Sequence, residues 1–143
     1  MKIMIITVGS PQLSFAQQGI AEYMKRISRF ADVDLVHVKE DKKTNEKILK
    51  LCDKKFVVLL DEKGKKFSSQ TLSIFLEKQK NQSQNICFVV GGPNGHTSEI
   101  RNRGDYIWSM SDLTFPHDIA MMVLVETLYR SLSISAGHPY HRD

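Results

Sequence analysis

The sequence predicts one α/β domain with a mostly parallel sheet and helices on both of its faces. Short runs that are apolar on both sides alternate with amphipathic segments, which is the pattern of strands covered by helices. No linker, internal repeat or low-complexity tract interrupts the 143 residues. Apolar residues make up 41% of the chain and charged residues 25%, the ordinary balance of a core-forming protein. A single domain over residues 1–143 is therefore expected.

Five apolar runs are predicted to be strands, because each is short and is bounded by polar or turn-forming residues. In chain order they are residues 2–8, 33–38, 56–60, 86–90 and 106–110. Residues 61–64 (DEKG) are predicted to turn out of the third strand.

Apolar residues spaced three and four apart predict helices between these strands. The predicted helices are residues 14–30, a segment capped by Thr44 or Asn45 that runs to about residue 54, a segment capped by Ser68 or Ser69, a short helix capped by Ser98 that stops at Gly104, and residues 118–135. The last helix is apolar around its whole circumference over Ile119–Val125. A surface helix of a monomer does not have that pattern, so we expect it to be central in the fold and also buried by a partner subunit.

The protein is expected to be cytoplasmic and to hold no metal. Its longest apolar run is far shorter than the roughly 20 residues that cross a bilayer, and no cleavage site follows the apolar residues at the amino terminus. Cys52 and Cys87 have no CxxC spacing and no neighbouring histidines, so neither a zinc site nor a disulfide framework is predicted.

The net charge of +4 is concentrated in one region. Ten lysines and six acidic residues lie between Lys39 and Lys66, a local excess of four. Such lysines form either a solvated face or a surface for the phosphates of a nucleic acid. Charge alone leaves both interpretations open and makes an RNA partner admissible.

Three segments follow strand ends, where ligands bind in open α/β sheets. Leu60 and Asp61 follow the third strand, Gly91–Gly95 (GGPNG) the fourth, and Ser111–His117 the fifth. The glycine segment matches neither G-x-G-x-x-G nor a P-loop, but its adjacent glycines let the backbone approach a ligand closely. Backbone groups of the third segment are suited to an adenine edge, and its Phe115, with Leu60, would supply apolar cover.

The last residues of the chain carry an unusual set of side chains. These are His138, Tyr140, His141 and Arg142. A frayed terminus is the ordinary interpretation of residues in such a position. However, arginine suits a phosphate, an aromatic ring suits base stacking, and histidine suits proton transfer. We therefore favour a segment that contacts nucleic acid.

These segments together resemble a known family. The order GGPNG, WSMSDLTFPH, a helix that carries ETLYR, and a terminal HPYHR is similar to the RlmH family of SPOUT methyltransferases, over essentially the whole chain. The specific part of the resemblance is the combination of TFPH and the terminal HPYHR at this spacing.

The resemblance implies a single-domain SPOUT fold with a trefoil knot near the carboxyl end, a homodimer and no metal. It implies S-adenosylmethionine as the cofactor, and N3-methylation of a pseudouridine in 23S ribosomal RNA on the assembled ribosome. Carried over by position, the cofactor site comprises Leu60, Gly91, Met110, Ser111, Asp112, Leu113, Thr114 and Phe115. The catalytic, RNA-facing group comprises His138, Tyr140, His141 and Arg142, which the tail of one subunit contributes to the site of the other.

Two alternatives stay open. The first is a SPOUT methyltransferase that acts on another RNA nucleotide, against which the HPYHR tail argues. The second is a non-catalytic ribosome-binding protein of the same fold, which would have no reason to bind S-adenosylmethionine. Two positions depart from the family pattern: the Lys39–Phe56 region is shorter, and Met121 stands where relatives commonly carry arginine.

Overall fold

The computed structural model describes residues 1–142, which form a five-stranded, all-parallel sheet and five helices. The strand order is β2-β1-β4-β3-β5. In chain order the elements are β1 Lys2–Val8, α1 Ser14–Ile27, β2 Asp32–Val38, α2 Thr44–Leu51, β3 Phe56–Lys66, α3 Ser69–Asn81, β4 Ile86–Val90, α4 Ser98–Arg103, β5 Tyr106–Ser109 and α5 His117–Ser135. This architecture confirms the predicted α/β fold with a parallel sheet. The trefoil knot stays a prediction.

The strand β4 lies at the centre of the sheet, and all five of its residues are buried. On one face, Phe88 packs in a cluster with apolar residues of α1, α3 and α5. On the other face, Val89 packs in a second cluster with residues of α2 and α4. Helices on both faces explain why β4 is apolar without alternation, since neither of its sides meets water. The carboxyl ends of the parallel strands consequently meet at one edge of the sheet.

The third strand is longer than predicted. Residues 61–64 do not turn away; β3 runs on to Lys66, and its pairing with β5 shifts register between Leu60 and Lys65. Gly64 permits this irregularity, because a Cβ there would lie 2.5 Å from the carbonyl oxygen of Ile107. The polar residues of the extension therefore stand beside the segment that follows β5.

Several helix boundaries also differ from the predicted ones. The hydroxyl of Thr44 bonds within the preceding turn, so it does not cap α2, whose N-cap position is Lys43. The same helix ends at Leu51, and Lys54 adopts the left-handed region with φ +61°, which prevents helical continuation. Thr97, and not Ser98, caps α4 by accepting a hydrogen bond from the Ile100 amide.

The long helix α5 packs between α1 and α3. Its residues Met121, Leu124 and Val125 are buried within the subunit's own core, so the subunit itself accounts for part of the apolar circumference. Burial of position 121 suits methionine, whereas an arginine there would need a partner for its charge. The other four residues of the apolar stretch 119–125 are half-buried, namely Ile119, Ala120, Met122 and Val123.

Candidate cofactor cleft and carboxyl-terminal segment

A cleft of about 280 Å³ opens at the carboxyl ends of β3, β4 and β5. Leu60 and Gly91 form two of its walls, and Phe115 and Ala120 add apolar surface. The cleft lies where strand ends and the loops that follow them meet, as ligand sites in open parallel sheets do. Its size is close to the lower end of the roughly 300–1,000 Å³ typical of small-molecule sites.

The loop between β5 and α5 is anchored to the extension of β3. Thr114 donates a hydrogen bond from Oγ1 to Glu62 Oε2 at 2.8 Å, and Asp112 forms an ion pair with Lys66 at 2.7 Å. Within the loop, the Leu113 amide donates to Ser111 Oγ at 3.0 Å. These contacts fix the course of the loop along the cleft before any ligand binds.

Several hydrogen-bond donors at the cleft have no protein acceptor. The backbone amides of Asp112, Thr114 and Phe115 donate to no other group within residues 1–142. The indole Nε1 of Trp108, a residue that lines the cleft, is buried and also lacks an acceptor in the described chain. Trp108 Nε1 is the buried donor of this set, and buried donors are normally paired, so a ligand that brings acceptor atoms into the cleft would satisfy it. Asp112 and Thr114 are exposed, so their amides are open to water as well as to a ligand. The nitrogens and hydroxyls of an adenosine group are acceptors of this kind.

Gly91 brings the backbone against the ring of His96. A Cβ at position 91 would lie 3.2 Å from both the Gly95 carbonyl carbon and His96 Cε1, which is tighter than an ordinary contact. His96 donates from Nε2 to the Leu60 carbonyl at 2.8 Å, and this bond joins two walls of the cleft. Burial lowers the pKa of His96, so its ring is neutral at neutral pH.

Two carboxylates line the cleft, and one of them gives it a negative edge. Burial by itself would raise the pKa of Asp61, but the Lys63 amide and the guanidinium of Arg101 together hold it below its ordinary value. Asp61 is therefore ionised at neutral pH, and its charge is balanced by Arg101. Exposed Glu62 stands beside it on the cleft wall and forms no ion pair within residues 1–142, so a cationic ligand is favoured there.

Of the predicted cofactor residues, all but Asp112 line this cleft. The carboxylate of Asp112 points instead to Lys66 at the surface. Sequence reasoning missed Glu62, His96 and Trp108, which also line it. His96 directly follows the GGPNG segment, and that position was the available signal. Glu62 was missed because residues 61–64 were predicted to leave the sheet.

The predicted catalytic residues form a separate cluster, in which the carboxyl-terminal segment folds back on its own subunit. Tyr140 packs edge-on against Tyr129, with ring centroids 4.5 Å apart, and shares a hydroxyl contact of 3.2 Å with Tyr23. Glu126 Oε1 accepts hydrogen bonds from Tyr140 Oη at 3.0 Å and from Arg130 Nη2 at 2.6 Å. The segment is therefore held in place by an aromatic contact and by hydrogen bonds to the half-buried ion pair of Glu126 and Arg130.

The histidines of the segment occupy different settings. His141 accepts a hydrogen bond at Nδ1 from Arg130 Nη1 at 3.0 Å, and its Nε2 lies 3.3 Å from the amide of Gln70. His138 is exposed and meets the edge of Phe30, with ring centroids 5.8 Å apart. Arg142 is exposed as well. Arg130 thus engages His141 within the subunit, whereas His138 and Arg142 face solvent.

Cleft and carboxyl-terminal segment do not meet within one subunit. None of residues 138–142 lines the cleft. Ala120 belongs to the cleft and Arg130 to the cluster around the segment, and ten residues of helix between them span about 15 Å. A single subunit therefore presents two incomplete halves of the predicted site.

Neither a metal centre nor a membrane span is found among residues 1–142. No group of three or more histidine, cysteine, aspartate or glutamate side chains in that range is arranged to hold a metal ion. None of the helices that the structure describes has both the length and the apolar character needed to cross a bilayer.

Comparison with known proteins identifies close relatives along the whole chain. A protein from Deinococcus radiodurans named "Ribosomal RNA large subunit methyltransferase H" is 45% identical over 145 residues and covers 99% of each chain. A protein of the same name from Thermus thermophilus is 37% identical over 142 residues, again with 99% of each chain covered.

The fold is also found in solved structures of lower sequence similarity. A "probable methyltransferase" from Bordetella pertussis superimposes with a TM-score of 0.56 at 10% identity, covering 92% of this chain and 95% of that one. The family model described as "Predicted SPOUT methyltransferase" matches residues 1–141. The chain therefore belongs to the SPOUT methyltransferases, and within them to the family of the ribosomal RNA large subunit methyltransferase H proteins.

Proposed function

We propose that this protein transfers a methyl group from S-adenosylmethionine to N3 of a pseudouridine in 23S ribosomal RNA on the assembled ribosome, as a cytoplasmic homodimer. The observation that carries the proposal is the cleft at the carboxyl ends of β3, β4 and β5, with its unpaired donors and its negative edge. Relatives named as ribosomal RNA methyltransferases, similar from end to end, supply the reaction class and the substrate.

The residues of the cleft fit S-adenosylmethionine. The unpaired amides of Asp112, Thr114 and Phe115 would receive acceptor atoms of the adenosine group. Leu60 and Phe115 would cover its apolar faces, and Glu62 would favour the positive charges of the ligand. When bound, the cofactor supplies a methyl group that its sulfonium already activates, so the protein's own task is to position the acceptor.

The carboxyl-terminal segment supports the RNA side of the reaction. N3 of pseudouridine is an imide nitrogen and becomes a good nucleophile only when it loses its proton. His138 would accept that proton and Arg142 would contact a phosphate, and the exposure of both side chains supports these roles. A proton acceptor of this kind contributes about 10²–10⁴-fold to a rate, and alignment of two bound reactants contributes the rest.

The separation of the cleft from the carboxyl-terminal segment supports the dimer. Since the two lie apart within one chain, the segment of a partner subunit would complete the cleft. An apolar surface suitable for the contact lies at the start of α1, where Leu13 is 46% and Phe15 is 54% exposed. It adjoins half-buried Met122, which packs so closely on Gly19 that a Cβ there would lie 2.7 Å from Met122 Cε.

The proposal is tested by mass spectrometry of 23S ribosomal RNA nucleosides from cells with and without the gene. N3-methylpseudouridine should be present in the first RNA and absent from the second. A different methylated nucleoside that depends on the gene would support a SPOUT methyltransferase with another target. No change in any nucleoside, together with no binding of S-adenosylmethionine in calorimetry, would leave the non-catalytic ribosome-binding protein as the better account.

A further inference from the structure

A lysine-lined groove runs between the edge strand β2 and the helix α2. Lys39, Lys47, Lys50 and Lys55 line it, and its floor is apolar; the floor residues are Val36, Val38 and Leu51. The groove measures about 630 Å³, and no carboxylate is among its lining residues. Four lysines thus line one concave surface, and none of them lines the cofactor cleft.

Most of these lysines have no counter-charge. Lys47 forms an ion pair with Asp41 at 3.4 Å, and Lys55 donates to the Leu51 carbonyl. Lys39 and Lys50 form no ion pair with any residue in the range 1–142. Their charge is therefore available to a partner outside the subunit.

Two of the lysines near α2 are unfavourable for the helix itself. Lys43 and Lys47 are four residues apart, so they share one face and repel each other by a few tenths of a kcal/mol. Lys43 stands at the N-cap, where its side chain makes no capping bond and where a positive charge opposes the helix dipole. Lys50 lies in the last turn, where a positive charge is favourable. Helix stability therefore explains Lys50 but not Lys43 and Lys47, whereas binding of an anion explains all three.

One end of the groove lies at the same edge of the sheet as the cofactor cleft, because Val38 and Lys39 stand at the carboxyl end of β2, whereas Lys55 precedes β3 at the opposite edge. Residues Glu40–Lys42, which directly follow Lys39, line a second cleft of about 250 Å³, and this cleft shares Gly91, Gly92 and His96 with the cofactor cleft. Two strand spacings of about 4.8 Å separate β2 from β4. An RNA strand that enters the cofactor cleft would reach the Lys39 end of the groove within a few nucleotides. Of the two carboxylates on this path, Asp41 pairs with Lys47, and Glu40 forms no ion pair within residues 1–142.

We propose that this groove binds the phosphate backbone of the RNA substrate a few nucleotides away from the modified base. The inference rests on the proposed function and adds to it the surface that holds the substrate. The apolar floor excludes water beneath the strand, and the lysines displace its counterions, which makes binding independent of base sequence. The groove thus provides affinity, while the cofactor cleft and the carboxyl-terminal segment provide the reaction.

The test compares two pairs of substitutions that remove the same charge. The double variant Lys39→Gln with Lys50→Gln removes two positive charges from the groove, at lysines that form no ion pair within residues 1–142. Lys78→Gln with Lys80→Gln removes two exposed lysines of α3 and serves as the control. Methylation of ribosomes that lack the modification is followed at several salt concentrations, and affinity for S-adenosylmethionine is measured by calorimetry.

The groove variant should raise KM for ribosomes about tenfold, with kcat and cofactor affinity unchanged. In a plot of log kcat/KM against log salt concentration, its slope should be shallower than that of the wild type by about 1.4–1.8, because two phosphate contacts are lost. The α3 control should behave as the wild type, and Lys39→Arg with Lys50→Arg should retain wild-type KM, because arginine also binds phosphate.

Three outcomes would overturn the inference. Equal losses in both Gln variants would show a general effect of net charge, and a loss in the Arg variant would show that shape and not charge matters. A loss on ribosomes without any loss of binding to protein-free 23S ribosomal RNA would assign the groove to a ribosomal protein. If wild-type protein methylates no ribosome, the proposed function fails instead, and salt-dependent binding to 23S ribosomal RNA still tests the groove.

Discussion

Tyr140 donates a hydrogen bond from its phenol to Glu126 Oε1 at 3.0 Å, and this contact ties the carboxyl-terminal segment to the middle of α5. The same carboxylate oxygen accepts from Arg130, whose guanidinium lies 4.8 Å from the Tyr140 ring centroid and also contacts His141. Charge-assisted hydrogen bonds and a cation–π contact therefore join Glu126, Arg130 and Tyr140 to one another. Glu126 and Arg130 act as positioning residues for a segment that would otherwise fray.

Glu126→Ala should release this segment. Loss of the acceptor removes an interaction of about 1 kcal/mol, so we expect methylation of ribosomes to fall roughly fivefold while affinity for S-adenosylmethionine is unchanged. Glu22→Ala, which removes the carboxylate of another i,i+4 pair with arginine, is the matched control and should be silent. An active Glu126→Ala enzyme would show that the segment needs no such anchor.

Gly91→Ala should weaken binding of S-adenosylmethionine. The added Cβ would meet the Gly95 backbone and the His96 ring at 3.2 Å, so the wall of the cleft must shift. Calorimetry should show a loss of about tenfold or more in affinity, with no change in oligomeric state. Gly95→Ala is a poor control because Gly95 has φ +72°; Ser98→Ala in the neighbouring helix is a better one. Unchanged affinity in Gly91→Ala would remove Gly91 from the site.

The proposed dimer surface predicts different results at two exposed apolar residues. Phe15→Glu should give a folded monomer, because Phe15 is 54% exposed within the subunit and its substitution leaves the core intact. Ile74→Glu, at a residue of α3 that is 68% exposed, should remain dimeric. Sedimentation at micromolar concentration distinguishes the two. A wild-type protein that sediments as a monomer would refute the dimer altogether.

Action of the segment across the dimer can be tested by mixing two inactive variants. One carries Gly91→Val, and the other carries His138→Ala together with Arg142→Ala. Substitution is preferable to deletion, because Tyr140 packs on Tyr129 and its removal would expose core surface. Heterodimers should regain one working site, made of the cleft of the second variant and the segment of the first. Zero activity after confirmed subunit exchange would contradict action in trans.

His96 gives stability a pH dependence. Burial lowers its pKa below the ordinary value of 6.5, so below pH 6.5 the unfolded chain takes up a proton that the folded protein resists. The free energy of unfolding should therefore be highest above pH 6.5 and should fall as pH decreases through the folded-state pKa. The melting temperature of His96→Gln should decrease less steeply than that of the wild type as pH falls from 6.5 through the folded-state pKa of His96. His37, whose pKa burial also lowers, is present in both proteins and does not affect the comparison.

The order and type of the elements could be predicted from the sequence because the pattern is strong. Runs such as Ile86–Val90 are apolar at every position, a pattern typical of a parallel strand that is covered by helices on both faces. The extension of β3 could not be predicted in this way. Its residues, Asp61 to Lys66, are polar and include a glycine, and only pairing with β5 keeps them in the sheet. Tertiary pairing overrode local propensity there.

Strand-end positions and the family resemblance together predicted which residues would form the cofactor site. They did not predict the direction in which each side chain points. Asp112 turns to Lys66 because β3 continues beside it, and no local pattern indicates that neighbour. The packing of Tyr140 against the core through Tyr129 was not predictable either. Aromatic residues on α1 and α5, far away in sequence, create this contact.

The strand order has a consequence for how the chain acquires its fold during synthesis. The central strand β4 pairs Ile86 with Ile3 of β1 on one side and with Phe56 of β3 on the other. During synthesis, more than eighty residues must therefore be added after Ile3 before β1 can pair with β4. Parallel pairings so distant in sequence fold slowly, because the loop must close before any contact stabilises it. Until then, the apolar edge of β1 is unprotected against other chains. A nascent chain stalled before residue 86 should therefore be a stronger target for chaperones than one stalled after residue 110.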